Sequence, residues 1–215
     1  MSEAVLYGAE YSVYVRAARL TAAEKGLVCR LVPVDVFALG GPPAEHLARH
    51  PFGRIPAFEH DGFRLYETGA ITRYLDEAFP GSALQPADPR ARARMNQAIG
   101  VIDSYVYPTL VWDIYVERVS LPKQGRSPDE AKIVEAVTKA RTCLEALSEI
   151  MGAGPWLAGP ELSLADLHAA PMIAYFVMAP EGAALLDQHP RVSRWWSAMR
   201  ARPSMAATRP AGVPD

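Results

Sequence analysis

Ser12 stands four residues after Gly8 and four before Arg16, where a short apolar run, Val5-Leu6-Tyr7, gives way to a helical pattern. A hydroxyl at the mouth of such a turn, with a helix N-terminus behind it, can donate a hydrogen bond to a bound thiolate, and thiolate rather than thiol is the nucleophile. Lowering a thiol pKa from about 8.5 to about 6.5 is worth roughly 2.7 kcal/mol and raises the thiolate fraction near pH 7 from about 3% to about 75%. Taken in isolation, a serine here reads first as a helix N-cap. Tyr7 and Tyr11 are rival hydroxyls for the same contact.

Glu67-Thr68 precedes a second helical run, and a helix N-terminus with its unpaired N–H groups is an anion site. The same pair also serves as a cap with a dipole-complementing charge. Ile55-Pro56 follows a glycine and opens a strand; X-Pro bonds are cis in about 5–6% of cases, so the dipeptide alone favours trans. His46 and His50 have the spacing of a metal pair, but Pro51 pushes His50 out of helical geometry and surface positions are expected for both. Cys29 and Cys143 lie 114 positions apart with no CxxC, and Cys29 falls inside a strand-like run. A buried structural thiol is the better reading of Cys29, and neither a disulfide nor a metal is expected.

The elements that must position these residues fall into two parts. Val5-Leu6-Tyr7 is a strand; Val13, Ala17 and Leu20 form one helical face with Lys25 in the last turn and Gly26 as the stop; Leu27 to Val34 is a second strand, parallel to the first by a right-handed crossover. Ile55 to Glu59 and Phe63 to Tyr66 flank His60-Asp61-Gly62, a hairpin signal, and Ile71, Tyr74, Leu75, Ala78 and Phe79 then recur at helical spacing. This is βαβ followed by ββα, ending at the Pro80-Gly81 break.

From Asp88 on, only helical periodicity remains. Asp88-Pro89 caps a helix through Met95, Ile99, Ile102 and Val106 that Pro108 should bend before Trp112. Ser127-Pro128-Asp129-Glu130 reads as a capping box ahead of Ile133 to Met151, Ser163-Leu164-Ala165-Asp166 as another ahead of an apolar helix through Ala179, and a last helix follows His189-Pro190 and ends at Pro203.

Composition excludes several classes. At 215 residues, 50% hydrophobic and 21% charged, the chain has a globular balance, and 22 basic against 24 acidic residues carry no field for phosphate backbones. The uncharged stretch from Leu167 to Pro180 is 14 residues, too short for a bilayer, and Glu3 and Glu10 interrupt any leader-like pattern. A cytoplasmic protein with no nucleic-acid or membrane partner is expected.

Four segments in order carry a resemblance to a known family: Leu6-Tyr7-Gly8 with Ser12 and Arg16, Pro51-Phe52-Gly53-Arg54-Ile55-Pro56, Glu67-Thr68, and Trp156-Leu157-Ala158-Gly159 with Ser163-x-x-Asp166. Together they resemble the glutathione transferases, most closely the serine-type phi class and its bacterial relatives. The resemblance implies a thioredoxin-like α/β domain over 1–81 and an all-α domain over 88–215 with the hydrophobic substrate site. It implies glutathione as co-substrate, with no metal. Ile55 before a cis proline would pair with the peptide backbone of glutathione beside Arg54, Glu67 and Thr68 would hold its γ-glutamyl end, and Ser12 would hold its thiolate for attack on a hydrophobic electrophile. Tyr11, Tyr107, Trp112, Tyr115 and Phe176 are candidate walls for that electrophile. Ser163 and Asp166 match the family's folding motif. A homodimer is implied, with Phe52 inserted between helices of the partner. A non-catalytic ligand-binding or interaction protein of the same fold, or a glutathione-dependent peroxidase or isomerase, are the alternatives. One departure stands out: the His-Lys pair that contacts the glycyl carboxylate in phi-type sequences is replaced by Gly41 and Pro42, leaving Arg49 or Arg54 to supply charge.

Overall fold

The computed structural model describes residues 3–212. It divides into two compact units, one formed by the chain up to Leu84 with the segment from Pro203, the other by Gln85–Arg202.

In the first unit the order is β1 (Ala4–Gly8), α1 (Val13–Glu24), β2 (Cys29–Pro33), α2 (Ala44–Leu47), β3 (Ala57–His60), β4 (Phe63–Tyr66) and α3 (Thr68–Ala78). The sheet runs β2-β1-β3-β4, with β1 and β2 parallel and the other pairs antiparallel, the βαβ-ββα arrangement expected. Asp61 and Gly62 both have positive φ, 52° and 76°, as a tight hairpin turn requires. β3 starts at Ala57 and not at Ile55 because Pro56 has no N–H to give the ladder. The short α2 left no periodic signal in the sequence. Leu6 and Phe58 meet Ala18, Ala22, Ile71 and Leu75 in a core between the sheet and α1 and α3.

A buried ion pair closes this unit: Lys25 Nζ lies 3.1 Å from Asp76, with side chains 2% and 5% exposed. Lys25 also donates to the Ser82 carbonyl, and Asp76 accepts from Leu84 N–H. The charges desolvated here are thus paired and hydrogen-bonded, the condition under which such a pair is tolerated. α10 (Pro203–Ala207) packs on α1, and the buried Arg16 guanidinium donates to the Met205 carbonyl at 3.0 Å. The tail therefore belongs with the first unit, where the sequence pattern had joined it to a helical domain over 88–215.

The second unit is helical: α4 (Pro89–Val101), a π-helix over Ile102–Ser120, α5 (Leu121–Lys123), α6 (Glu130–Met151), α7 (Leu164–Phe176), α8 (Pro180–Asp187) and α9 (Pro190–Arg200). Asp88 accepts from Ala91 N–H and Pro89 takes the first helical position, as the sequence suggested. Pro108 does not simply bend the helix; it sits inside the π-wound stretch, whose wider turns leave more room around a residue with no N–H to give. α6 is capped by Asp129, which accepts from Lys132 N–H, and not by Ser127. The apolar stretch expected to run helical through Ala179 breaks after Phe176, and Ala179 instead precedes α8, which Pro180 opens.

α7 is buried on every side, so its N-terminus must be satisfied from within the unit. Asp166, fully buried, does this: one oxygen accepts from Leu157 N–H and Trp195 Nε1, the other from Ser163 N–H and Ser163 Oγ, all at 2.8 Å. Burial pushes its carboxyl up while these four donors pull it down. Among the described residues no helix is long and apolar enough to cross a membrane.

Candidate functional site

Strand register brings the site together. Tyr7 stands opposite Ala57, and Ala57 opposite Tyr66, so the end of β1, the start of β3 and the end of β4 share one edge of the sheet. The segments at that edge carry Ser12, Ile55 and Glu67-Thr68. Gly8 permits the closeness: a Cβ there would lie 2.4 Å from Val15 Cγ2 and 3.3 Å from Ile55 Cβ, so any side chain would push α1 or the Ile55 loop away.

Ser12 is the N-cap of α1, its Oγ accepting from Val15 N–H at 3.3 Å. That bond uses an oxygen lone pair and leaves the O–H proton to donate outward, so capping and thiolate binding are compatible in one hydroxyl. Of the two rival hydroxyls, that of Tyr11 is committed elsewhere. Tyr11 donates to Asp35 at 3.1 Å and stacks on Phe37, and burial with the Asp35 carboxylate pushes its phenol up to about 12. Tyr7 lies under the Arg49 guanidinium, 4.2 Å from its ring centroid. Burial also pushes the Cys29 thiol up to about 12, which disfavours its thiolate at neutral pH.

The Ile55-Pro56 bond is cis. The segment before it corrects the expectation for the histidines: His46 and His50 are 1% and 2% exposed. Two backbone bonds, His50 N–H to the His46 carbonyl and Gly53 N–H to the His50 carbonyl, roll the chain inward. His50 then packs on Tyr66, with ring centroids 4.9 Å apart, and burial holds its imidazole below the usual range despite the nearby Glu67. The proline rule excluded a helix at His50 but said nothing about which way the turn would face. Among the described residues no group of three or more His, Cys, Asp or Glu is placed to hold a metal.

Glu67 precedes α3 with φ 70° and ψ 117°, a conformation costly for a residue with a Cβ, and its side chain makes no cap hydrogen bond. Thr68 begins the helix and is buried at 6% exposure, so its hydroxyl and the first-turn N–H groups stand together at the sheet edge. Of the basic candidates for the glycyl end, Arg49 also donates to the Glu45 carbonyl, whereas Arg54 is exposed. Pro42 packs where a Cβ on Gly53 would lie, 3.0 Å from its Cγ.

The aromatic candidates of the second unit stand on the π-helix. Tyr107 meets Trp112 edge to face, with centroids 6.4 Å apart, and Tyr115 stacks flat on Tyr175 at 4.3 Å. Burial raises the Tyr115 phenol. Phe176 is fully buried core and no wall. Asp35 escaped the sequence reading, and His46 entered it only as half of a possible surface metal pair, because neither lies in a motif; only the fold carries them to Tyr11 and to Arg54.

Comparison with known proteins places both units. The family model for the glutathione S-transferase N-terminal domain matches residues 6–83, and that for its C-terminal domain residues 105–203. Glutathione S-transferase F13 of Arabidopsis thaliana is 30% identical over 207 residues, covering 95% of this chain and 94% of its own. Glutathione transferase F7 of Populus trichocarpa superposes with a TM-score of 0.83 at 31% identity, covering 95% of this chain and 97% of its own. A maize glutathione S-transferase I solved with an atrazine glutathione conjugate superposes with a TM-score of 0.84 at 28% identity over 96% of each chain. With its sheet, its cis proline and both domain signatures in place, the chain belongs to the glutathione S-transferase family.

Proposed function

We propose that this glutathione transferase binds glutathione along the sheet edge, holds its thiolate with the Ser12 hydroxyl, and directs it at a hydrophobic electrophile. The observation that carries this reading is the commitment of Tyr11 to Asp35 while the Ser12 hydroxyl, which accepts from Val15 N–H, keeps its own proton to donate. The Ile55 backbone pairs with the peptide of glutathione; Thr68 and the α3 N-terminus take the γ-glutamyl carboxylate and Glu67 its ammonium; Arg54 faces the glycyl carboxylate in place of the missing basic pair. Apolar surface that could serve an electrophile is offered by Tyr11 in the first unit and by Tyr107, Trp112 and Tyr115 in the second. The protein contributes position and electrostatics, and glutathione the nucleophile. Clearance of apolar electrophiles in the cytoplasm is the setting such chemistry fits.

Glu67→Ala and Thr68→Val test the binding half. Each removes a hydrogen bond to a charged group remote from sulfur, worth about 1.5–3 kcal/mol, so the KM for glutathione should rise roughly 10- to 100-fold while kcat at saturation changes by less than about threefold. Normal glutathione binding by calorimetry together with a lowered unfolding temperature would reduce both residues to helix-start structure.

We further propose an isologous homodimer. Phe52 is 71% exposed yet braced edge-on by His50 and Tyr66, an apolar knob held ready by its own unit. Sedimentation at micromolar concentration should give about twice the 23.4 kDa chain mass, and Phe52→Ala should shift the equilibrium toward monomer. A wild type sedimenting as single chains removes this role for Phe52.

A further inference from the structure

His46 sits beneath the segment that is to meet glutathione, 1% exposed, with Nε2 2.7 Å from the Arg54 carbonyl oxygen. A carbonyl can only accept, so the imidazole proton in this bond must be on Nε2. The Arg54–Ile55 peptide is trans, the cis bond lying one residue further on. In a trans peptide the C=O and the following N–H lie in one plane and point in opposite directions. Anchoring the Arg54 oxygen inward on His46 therefore aims the Ile55 N–H outward. The same histidine is held from behind: its carbonyl accepts from Arg49 N–H at 2.9 Å and from His50 N–H at 2.8 Å, and the His50 carbonyl accepts from Gly53 N–H at 2.9 Å. Gly53, at φ 62°, reverses the chain so that Arg54 comes back over the imidazole.

We propose that His46 is a positioning residue for glutathione: it touches no substrate atom, and it fixes the plane of the peptide whose N–H pairs with the glutathione backbone. The proposal rests on the binding edge assigned to Ile55 above. It explains why a histidine is spent in a buried place where its second ring nitrogen, Nδ1, has no hydrogen-bond partner. A leucine would fill similar volume but leave the Arg54 oxygen unanchored.

The test compares His46→Leu with His46→Gln, whose amide nitrogen reaches to the same place as Nε2. His46→Leu should raise the KM for glutathione about tenfold or more, with kcat at saturating glutathione and the KM for the electrophile within about twofold of wild type, and His46→Gln should recover most of the loss. Wild-type glutathione KM in His46→Leu, or equal losses in both variants that follow lowered unfolding midpoints, overturns the assignment. A measurement on the unaltered protein stands beside these should His46→Leu fail to fold: long-range proton–nitrogen correlation of the imidazoles must show His46 protonated on Nε2, and a proton confined to Nδ1 ends the proposal. Calorimetry of the wild type with glutathione separates the two layers. Tight wild-type binding with an indifferent His46→Leu removes only the positioning role, whereas no wild-type binding removes the edge and the role together.

Discussion

Ser12→Ala should lower the conjugation rate at pH 7 by about 10- to 150-fold, the kinetic equivalent of the roughly 1.5–3 kcal/mol that a hydrogen bond to a charged group contributes. The thiol of bound glutathione then loses the donor that favours its anion, so its pKa moves up toward about 8.5 and the thiolate fraction at pH 7 falls. The sign fixes the rest of the profile: the deficit is largest at low pH and shrinks as pH rises through the free-thiol range, where hydroxide does what Ser12 did. Glutathione affinity should stay within about threefold, because the binding mode proposed above has Ile55, Glu67 and Thr68 hold parts of the molecule remote from sulfur. The variant also loses an N-cap bond to Val15, costing about 1 kcal/mol of stability, so folding must be verified by thermal melts. A rate unchanged between pH 6 and 9 would falsify Ser12 as the activating residue.

The second large effect is on stability. Asp166→Ala deletes an acceptor shared by Leu157 N–H, Ser163 N–H, Ser163 Oγ and Trp195 Nε1, in a place with no access to water. Each stranded donor costs about 1–3 kcal/mol, and even with partial relaxation the loss should exceed about 4 kcal/mol, a large part of an ordinary domain's stability. Urea unfolding followed by tryptophan fluorescence reads this directly, since Trp195 is one of the partners. Asp166→Asn keeps one carbonyl oxygen for Leu157 and Trp195 but turns an amide toward Ser163 N–H, and should fall between the two. A midpoint for Asp166→Ala within experimental error of wild type would mean that water or a neighbouring carbonyl takes the carboxylate's place.

Local rules reached most of the first unit because its elements are announced by local chemistry. Asp61-Gly62 specifies a turn, Gly26 stops a helix, and the alternation from Phe63 to Tyr66 fixes a strand. They were weaker where geometry depends on distant partners. Proline at 51 forbids helix at His50, but only the Gly53 turn and the Tyr66 ring decide that the imidazole faces inward. Proline at 108 announces a disturbance, yet whether a helix kinks or winds wider depends on what its carbonyls meet. Asp129 supplanted Ser127 as a cap because Glu117, from the π-helix, holds the Asp129 N–H and sets where α6 begins. At the candidate site, motif order is what proposes Ser12, Ile55 and Thr68. Asp35, which takes the Tyr11 hydroxyl, and His46, which meets the Arg54 carbonyl, act across the fold and lie outside those motifs.

The bond from Arg16 to the Met205 carbonyl joins residues 189 positions apart. At synthesis rates of about 5–20 residues per second, α1 waits roughly 10–40 s after it is made before its buried guanidinium meets that acceptor. Through that interval the sheet, α1 and α3 can assemble, but with a charged side chain still unsealed. The helical unit, complete by Arg202, is synthesised entirely within the wait. The order of birth is thus inverted in the order of completion: the half begun first is finished last.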